Sequence, residues 1–566
     1  MRLPLSLAAL LVAAAPAVAL AHGGSYAPPT AGMPGGPGGP QVPPGTADPP
    51  APATRWESWW ASNKEYYLRL NEAMRTDDGP ASRGISGHAP EASPVESREK
   101  RDAAVRESLA PLFIEALGDE SFEVRTAAAI ALGKSGRPEG SRPLREAAVK
   151  DKHNDVRDSA MLGLGLLGRP TDIPFLDGVL NDEKQNTRHR SFAAFALGLI
   201  GGEDAAASLL MFADGRPGKP ATFAKEQPDL IASVFVAMGM TCDRQVTPVL
   251  RAALASPRYD DTVHAFVVLS LGRIGDRESM GDLGRMLVLA KDSGLRRSSA
   301  IALGKIARAT DAAAVEALVT AATNDPDEAV RHFAAISLGG MADATTTSRL
   351  ENMFPAAPGY ARPFVALALA IAHDAQAAKV IRDALAKETD ESAKAAYCMA
   401  LGLLGDTESA PLVQQQLKDR GRVWLQGYAA LALGLMRHTE SAEMLYERLV
   451  AESDPRLRGN IAVALGLLHD PRAKVYLTKA LRGREGSVYE RGGAAMALGV
   501  LRMNEAVPDL ADVWRDRNEQ DLVRAFSVVA LGLIADPSPV PKLSRFAIDN
   551  NYTLSVSPLN EVLSIL

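Results

Sequence analysis

The chain has 566 residues, 46% of them hydrophobic and 23% charged, enough to bury a large core. Lysine and arginine number 62 against 68 acidic residues, so no basic surplus is left to follow a phosphate backbone, which argues against nucleic acid as a partner. Aromatics are only 5% of the chain, and alanine and leucine dominate, which suits closely packed helices better than a β-sandwich.

Residues 1–21 have the layout of a signal peptide. Arg2 is the positive start, Leu3 to Pro16 the apolar stretch, and Ala19-Leu20-Ala21 a small-x-small cleavage site. The apolar run falls short of the ~20 residues of a spanning helix, and no later stretch reaches that length, so no transmembrane segment is expected. The mature chain would begin at His22 and be exported, to the periplasm or the cell exterior. With only Cys242 and Cys398 it would hold together by packing rather than by disulfides, which leans towards a bacterial source. Residues 22–55 form a Pro/Gly-rich linker of the kind that stays disordered. In residues 56–75 Trp56, Trp59, Trp60, Asn63, Tyr67 and Leu70 fall at helical spacing, an aromatic stripe that must dock on something. Residues 76–97 are a second flexible linker.

From residue 98 to 548 the chain repeats. Each unit ends a helix on a small residue, Leu and usually Gly, as in Ala131-Leu132-Gly133, Ala302-Leu303-Gly304 and Ala530-Leu531-Gly532. Thirteen such anchors occur, spaced by 31 to 35 residues except for one step of 41, which carries the insertion Gly215–Pro220. Each unit reads as two helices, the first often opening on proline, as at Pro143, Pro174, Pro248, Pro411, Pro508 and Pro541. Residues 549–566 read as a C-terminal capping segment. Cys242 and Cys398 fall in the fourth and ninth units, too far apart to bridge, and should be free thiols.

Eight residues before the anchor stands a ladder of cations: Arg125, Arg157, Arg190, Arg296, Arg331, Arg362, Lys394, Arg458, Arg491 and Arg524. Six residues before six of these lie Asp119, Asp151, Asp325, Glu388, Glu452 and Glu485. The pattern predicts that each Arg pairs with the acid of its own preceding turn and pins the inter-helix loop.

Units such as Asp151…Val156-Arg157…Leu164-Gly165-Leu166-Leu167-Gly168 resemble HEAT repeats, and their length is that of the short subtype known from phycobilisome lyases. The resemblance implies an all-α, α/α solenoid, or superhelix, of about thirteen two-helix repeats, in an exported bacterial form. For function it implies less, since such repeats serve lyases, hydroxylases and adaptors alike. The deoxyhypusine hydroxylase branch carries His-Glu pairs for a di-iron centre, and none of the nine histidines here is followed by Glu. His373, His438 and His469 sit near helix ends, where the helix dipole favours them. No catalytic, cofactor-binding or metal-binding residue is therefore assigned, and no cofactor is expected.

Three positions around each anchor are expected on the concave face: three before, one after and seven before. The first is apolar throughout. The second is Lys134, Arg273 or Lys305 early in the chain, and Ile371, Leu403, Leu435, Leu467, Val500 and Leu533 later. The third is small in the last five units, at Ala395, Gly427, Gly459, Gly492 and Ala525. The expected function is a protein–protein interaction scaffold that binds a protein or peptide partner along this wall. Leu403, Leu435, Leu467, Val500, Leu533, Trp56, Trp59 and Trp60 are the candidate partner-binding residues. The alternatives are a lyase-like or metal-dependent enzyme with its site between repeats, and a structural component of the cell envelope. The wall is either an open groove or closed by tight winding, with the chain's own Trp helix a candidate occupant. Nothing in the sequence bears on oligomeric state.

Overall fold

The computed structural model describes residues 55–68, 94–214, 223–418, 423–554 and 556–565. The expected signal peptide, most of both linkers and the Gly215–Pro220 insertion lie outside the described residues.

Among the described residues every regular element is helical. Each of the thirteen repeats pairs an outer with an inner helix, from Pro94–Ala116 and Phe122–Ser135 in the first to Val507–Arg515 and Asp521–Ala535 in the last. The first outer helix begins at Pro94, within the expected linker. Local chemistry sets the inner-helix limits. Ser121, Asn186, Asp260, Asp292, Asp327 and Asp390 accept a hydrogen bond from a first-turn backbone N–H. Many inner helices end on a left-handed residue, glycine at Gly136, Gly168, Gly275 and Gly405 and a larger residue at Cys242, Ala342, Arg437 and Arg502. Proline does open many outer helices, including those at Ser141, Ile173 and Thr247. Pro541 is an exception, because it precedes a short 3-10 turn, Lys542–Phe546, outside any repeat.

The inner helices pack on one another from repeat to repeat, whereas outer helices mainly touch their own inner helix. The small anchors make this close approach feasible. A Cβ on Gly165 would lie 2.8 Å from the Cα of Ala196, and one on Gly402 2.9 Å from the Cα of Ala432. Tight spacing inside and bulky helices outside give each repeat a wedge shape, so the array curves.

The curvature closes. The inner helix of repeat 13 packs on that of repeat 1 as fully as any neighbouring pair does. A Cβ on Gly532 would lie 2.8 Å from the Cα of Ala131, the same anchor-to-anchor contact in the same register. The solenoid class expected from sequence is present, but as a closed ring rather than an open superhelix. A summed rotation of a full turn with little rise leaves no free end for residues 549–566 to cover.

The arginine ladder links several neighbouring repeats, with partners that differ from expectation. Arg125 donates to the backbone carbonyl of Asp119, at 2.9 Å, and not to its carboxylate. Its Nε pairs with Asp151 of the next repeat at 2.7 Å. Likewise Arg296 pairs with Asp325 at 2.9 Å, Arg190 with Glu226 at 2.7 Å and Arg491 with Glu519 at 2.5 Å. Arg458 pairs with Glu490, and its link to Glu452 is to the backbone carbonyl. The acid six residues back is instead used by its own turn, Asp151 accepting from the backbone N–H of His153 and Asp325 from that of Asp327. Each of these rungs therefore ties two repeats together. Arg524 of repeat 13 pairs with Asp119 of repeat 1, which makes the closing rung the same as the others.

Candidate interaction site inside the ring

Two segments cover the inner wall. The C-terminal segment crosses it on the side of repeats 2 to 7. Lys542 donates to the carbonyl of Leu166 at 2.8 Å, Arg545 to that of Met240, and Asn551 to that of Gly294 at 3.0 Å. Phe546 meets Phe195 edge-on at 5.2 Å between ring centres, and Tyr552 lies 5.1 Å from Phe333. The terminal helix Ser557–Ile565 continues past repeats 3 and 4, where Glu561 pairs with Arg188 at 2.7 Å. Two of the three early cations one residue past the anchor serve this segment: Arg273 donates to the carbonyl of Ile548 at 3.5 Å, and Lys305 pairs with Asp549.

The Trp helix, Trp56–Leu68, covers the other side. Trp56 Nε1 donates to both the carbonyl and the hydroxyl oxygen of Ser392, each at 2.9 Å, and its ring tilts on Tyr428 at 4.8 Å. The Ser392 hydroxyl donates to Glu57 at 2.6 Å. Asn63 accepts from the backbone N–H of Asp549 at 2.9 Å, so the two covering segments are also joined to each other. Burial pushes the Glu57 carboxyl above its usual range, against the opposing effect of the Ser392 hydrogen bond.

Trp56, Trp59 and Trp60 are buried against the chain's own ring. Leu467, Val500 and Leu533 are also buried, whereas Leu403 and Leu435 are half-buried. The position seven before the anchor does not face inward as expected. A Cβ on Gly492 would meet the ring of Phe526 at 2.5 Å, so the small residue there admits the next inner helix.

Covering is incomplete beside the Trp helix. A cavity of about 460 Å³ remains, bounded by Trp59, Tyr66, Lys305, Ile336, His373 and Leu403. Of the candidate residues, Leu403 and Trp59 meet there; the others do not line it. Tyr66 is half exposed at this mouth, and Lys305 lies 5.6 Å from the centre of its ring. Sequence reasoning missed Asp549 and Asn550, which share the cavity. Their segment has no helical period, and much of what holds it is backbone carbonyls, which leave no side-chain signature.

His373 and His469 take left-handed backbone conformations where other repeats place glycine, so both occupy helix-ending positions. Among the described residues no three His, Cys, Asp or Glu side chains are grouped so as to hold a metal ion. No described helix is long and apolar enough to cross a membrane. The two cysteines are unpaired, as expected, with Cys242 exposed and Cys398 buried.

No curated protein matches the sequence. Among solved structures, human deoxyhypusine hydroxylase is 19% identical over 47% of this chain and 96% of its own, with a TM-score of 0.22. The CpcE–CpcF complex of phycocyanin lyase from Nostoc sp. PCC7120 is 23% identical over 44% of this chain and 92% of its own, with a TM-score of 0.28. Importin beta is 13% identical over 90% of this chain and 83% of its own, with a TM-score of 0.38. A family model of HEAT repeats matches residues 101–165, 141–227 and 247–339. Residues 101–227 and 247–339 thus match HEAT repeats, and the two-helix unit continues through the later repeats to the contact that closes the ring.

Proposed function

We propose that the ring is an interaction scaffold that takes up an apolar or aromatic segment of a partner protein on its inner wall, beside the Trp helix. The observation that carries this reading is the cavity of about 460 Å³ there, where aromatic rings and leucine meet a lysine, a histidine and the Asn550 side. Such a mixture of apolar wall and a few convergent polar groups is what a peptide side chain needs for both affinity and orientation. The C-terminal segment and the Trp helix already cover much of the remaining wall, which focuses binding on this place.

The test is site-specific photo-crosslinking in native cells. A crosslinking residue at Tyr66 is expected to capture a defined protein, and Leu403→Asp should abolish that product. The same crosslinker at Val475, an exposed position on an outer helix, should not give it. Equal products from both positions, or none from Tyr66, would refute the proposal. We further propose that this scaffold works after export. N-terminal sequencing of the mature protein should then begin at His22, and an intact Met1 terminus would count against export.

A further inference from the structure

The ladder is broken on one side of Arg331. The acid of the next repeat is missing: Ala356 stands six residues before Arg362, and Ala357 ends the outer helix at the place that Asp325 takes in its own repeat. Arg331 keeps its bond to the carbonyl of Asp325 and donates to the Tyr360 hydroxyl at 2.7 Å, but its buried Nε has no partner. The adjacent His332 is only 1% exposed, and neither ring nitrogen has a hydrogen-bond partner. Its ring stacks on Phe364 at 3.7 Å with a 14° tilt between planes. Both residues line a cavity of about 540 Å³ between repeats 7 and 8, whose other walls include Val319, Ala335, Met353 and Phe364.

Unpaired buried polar atoms are costly and are normally satisfied by protein, water or ligand. All three belong to the two adjacent residues that line this cavity of ligand size, together with the polar Asp325, Arg349 and Asn352 and the apolar wall. Arg157 also meets a non-acid, Lys184, at the equivalent place, but its guanidinium donates to Asn154 instead. The break at Arg331 is therefore a built pocket and more than a lost rung.

We propose that this cavity binds a small organic carboxylate with an aromatic or branched apolar body, the carboxylate resting on Arg331 and His332 where the neighbouring repeat lacks its acid. The guanidinium supplies the charge and a free N–H. Burial, with the nearby charge of Arg331, holds His332 well down, to about 3, so at neutral pH the ring offers one donor and one acceptor. The donor can serve the second carboxylate oxygen and the acceptor a polar group on the ligand body. Phe364 and Met353 provide apolar contact for that body. The same carboxylate chemistry could arrive on a free acid or on the C-terminus of a peptide.

Calorimetric titration of the full-length protein tests this, with benzoate, 3-phenylpropanoate and octanoate as free acids, 3-phenylpropanamide as the uncharged analogue, and a pentapeptide ending in Phe. At least one acid should bind at least ~10-fold more tightly than the amide, the scale of a lost charge-assisted bond. Saturation by the peptide but by no free acid would uphold the carboxylate chemistry and assign its source to a chain terminus. Arg331→Gln should weaken binding by a similar factor. Ala357→Glu is the second variant. It restores the acid in register, should fold at least as well as the wild type, and should displace the ligand by pairing with Arg331. The proposal is overturned if neither acids nor peptide saturate the protein at ~10 mM, the affinity floor for such fragments. It is equally overturned if the amide binds as well as the acid, or if Ala357→Glu, shown to be folded by circular dichroism, leaves affinity unchanged.

Discussion

Replacing Asp119 by alanine tests ring closure directly, because its partner lies at the far end of the chain. The Arg524 side chain is 3% exposed and that of Asp119 1%, so the variant leaves a buried guanidinium without its counter-charge. Arg524 would retain a bond to the carbonyl of Trp514, at 2.9 Å, and an ion pair with the exposed Asp521 at 3.0 Å. Removing one partner of a buried pair costs ~3–5 kcal/mol, and the retained contacts place the expected loss near 3 kcal/mol. Asp325→Ala removes the corresponding acid from the interior rung with Arg296 and serves as the internal standard, with a loss of the same size. In an open array Asp119 would sit on a terminal repeat facing solvent, and its replacement would cost only ~0.5 kcal/mol or less. Urea unfolding gives both values. Spin labels at the exposed pair Glu115 and Arg515, whose side chains meet at 3.2 Å, should report a short distance in the otherwise unchanged protein. A loss below ~1 kcal/mol for Asp119→Ala beside several for Asp325→Ala, or a label distance on the scale of the whole molecule, would refute closure.

The anchors give a second test: Gly402→Ala forces a Cβ to within 2.9 Å of the Ala432 backbone and should cost ~1–3 kcal/mol in thermal unfolding. Gly281→Ala, on an outer helix with open space around it, should instead raise stability by ~0.5–1 kcal/mol. A thiol reagent should titrate Cys242 promptly in native protein and Cys398 only after unfolding, since burial pushes the Cys398 thiol up to about 12. Glu57, whose carboxyl is raised by burial in the docked helix, favours docking below its ordinary value of 4.5 and loses that contribution as pH rises through the docked value. Glu57→Gln should therefore slow hydrogen exchange of residues 56–68 at neutral pH, by an advantage over wild type that disappears at pH ~4.

The repeat period and the two-helix unit were legible because each rests on local pattern: an anchor triplet, a proline, an Asp or Ser cap. The Trp stripe was also legible as a surface that must be buried, though not which surface would bury it. Closure was not, because it depends on the sum of small rotations, each set by contacts such as Gly165 on Ala196 rather than by any one residue. The ladder was misassigned for a related reason. Asp119 and Arg125 are close in sequence, but the Asp119 carboxylate is committed to the Ser121 turn and to Arg524, 405 positions away. The missing acid at Ala356 was visible as a gap in the row, yet a gap becomes a site only when His332 and Phe364 are seen to enclose space beside it.

Closure also sets how the number of repeats can change over evolutionary time. An open array gains or loses a unit by unequal recombination with little consequence beyond length. Here thirteen units share one turn, ~28° each, through interfaces too tight to absorb much change. Removing one unit would ask every remaining junction to rotate further or would leave a seam, with a buried Arg and a small-residue anchor facing water. A duplication would leave one unit with no place in the circle. The ring thus holds its own copy number fixed, and variation between relatives of the same design should appear as insertions in inter-repeat turns, with gain or loss of whole units rare.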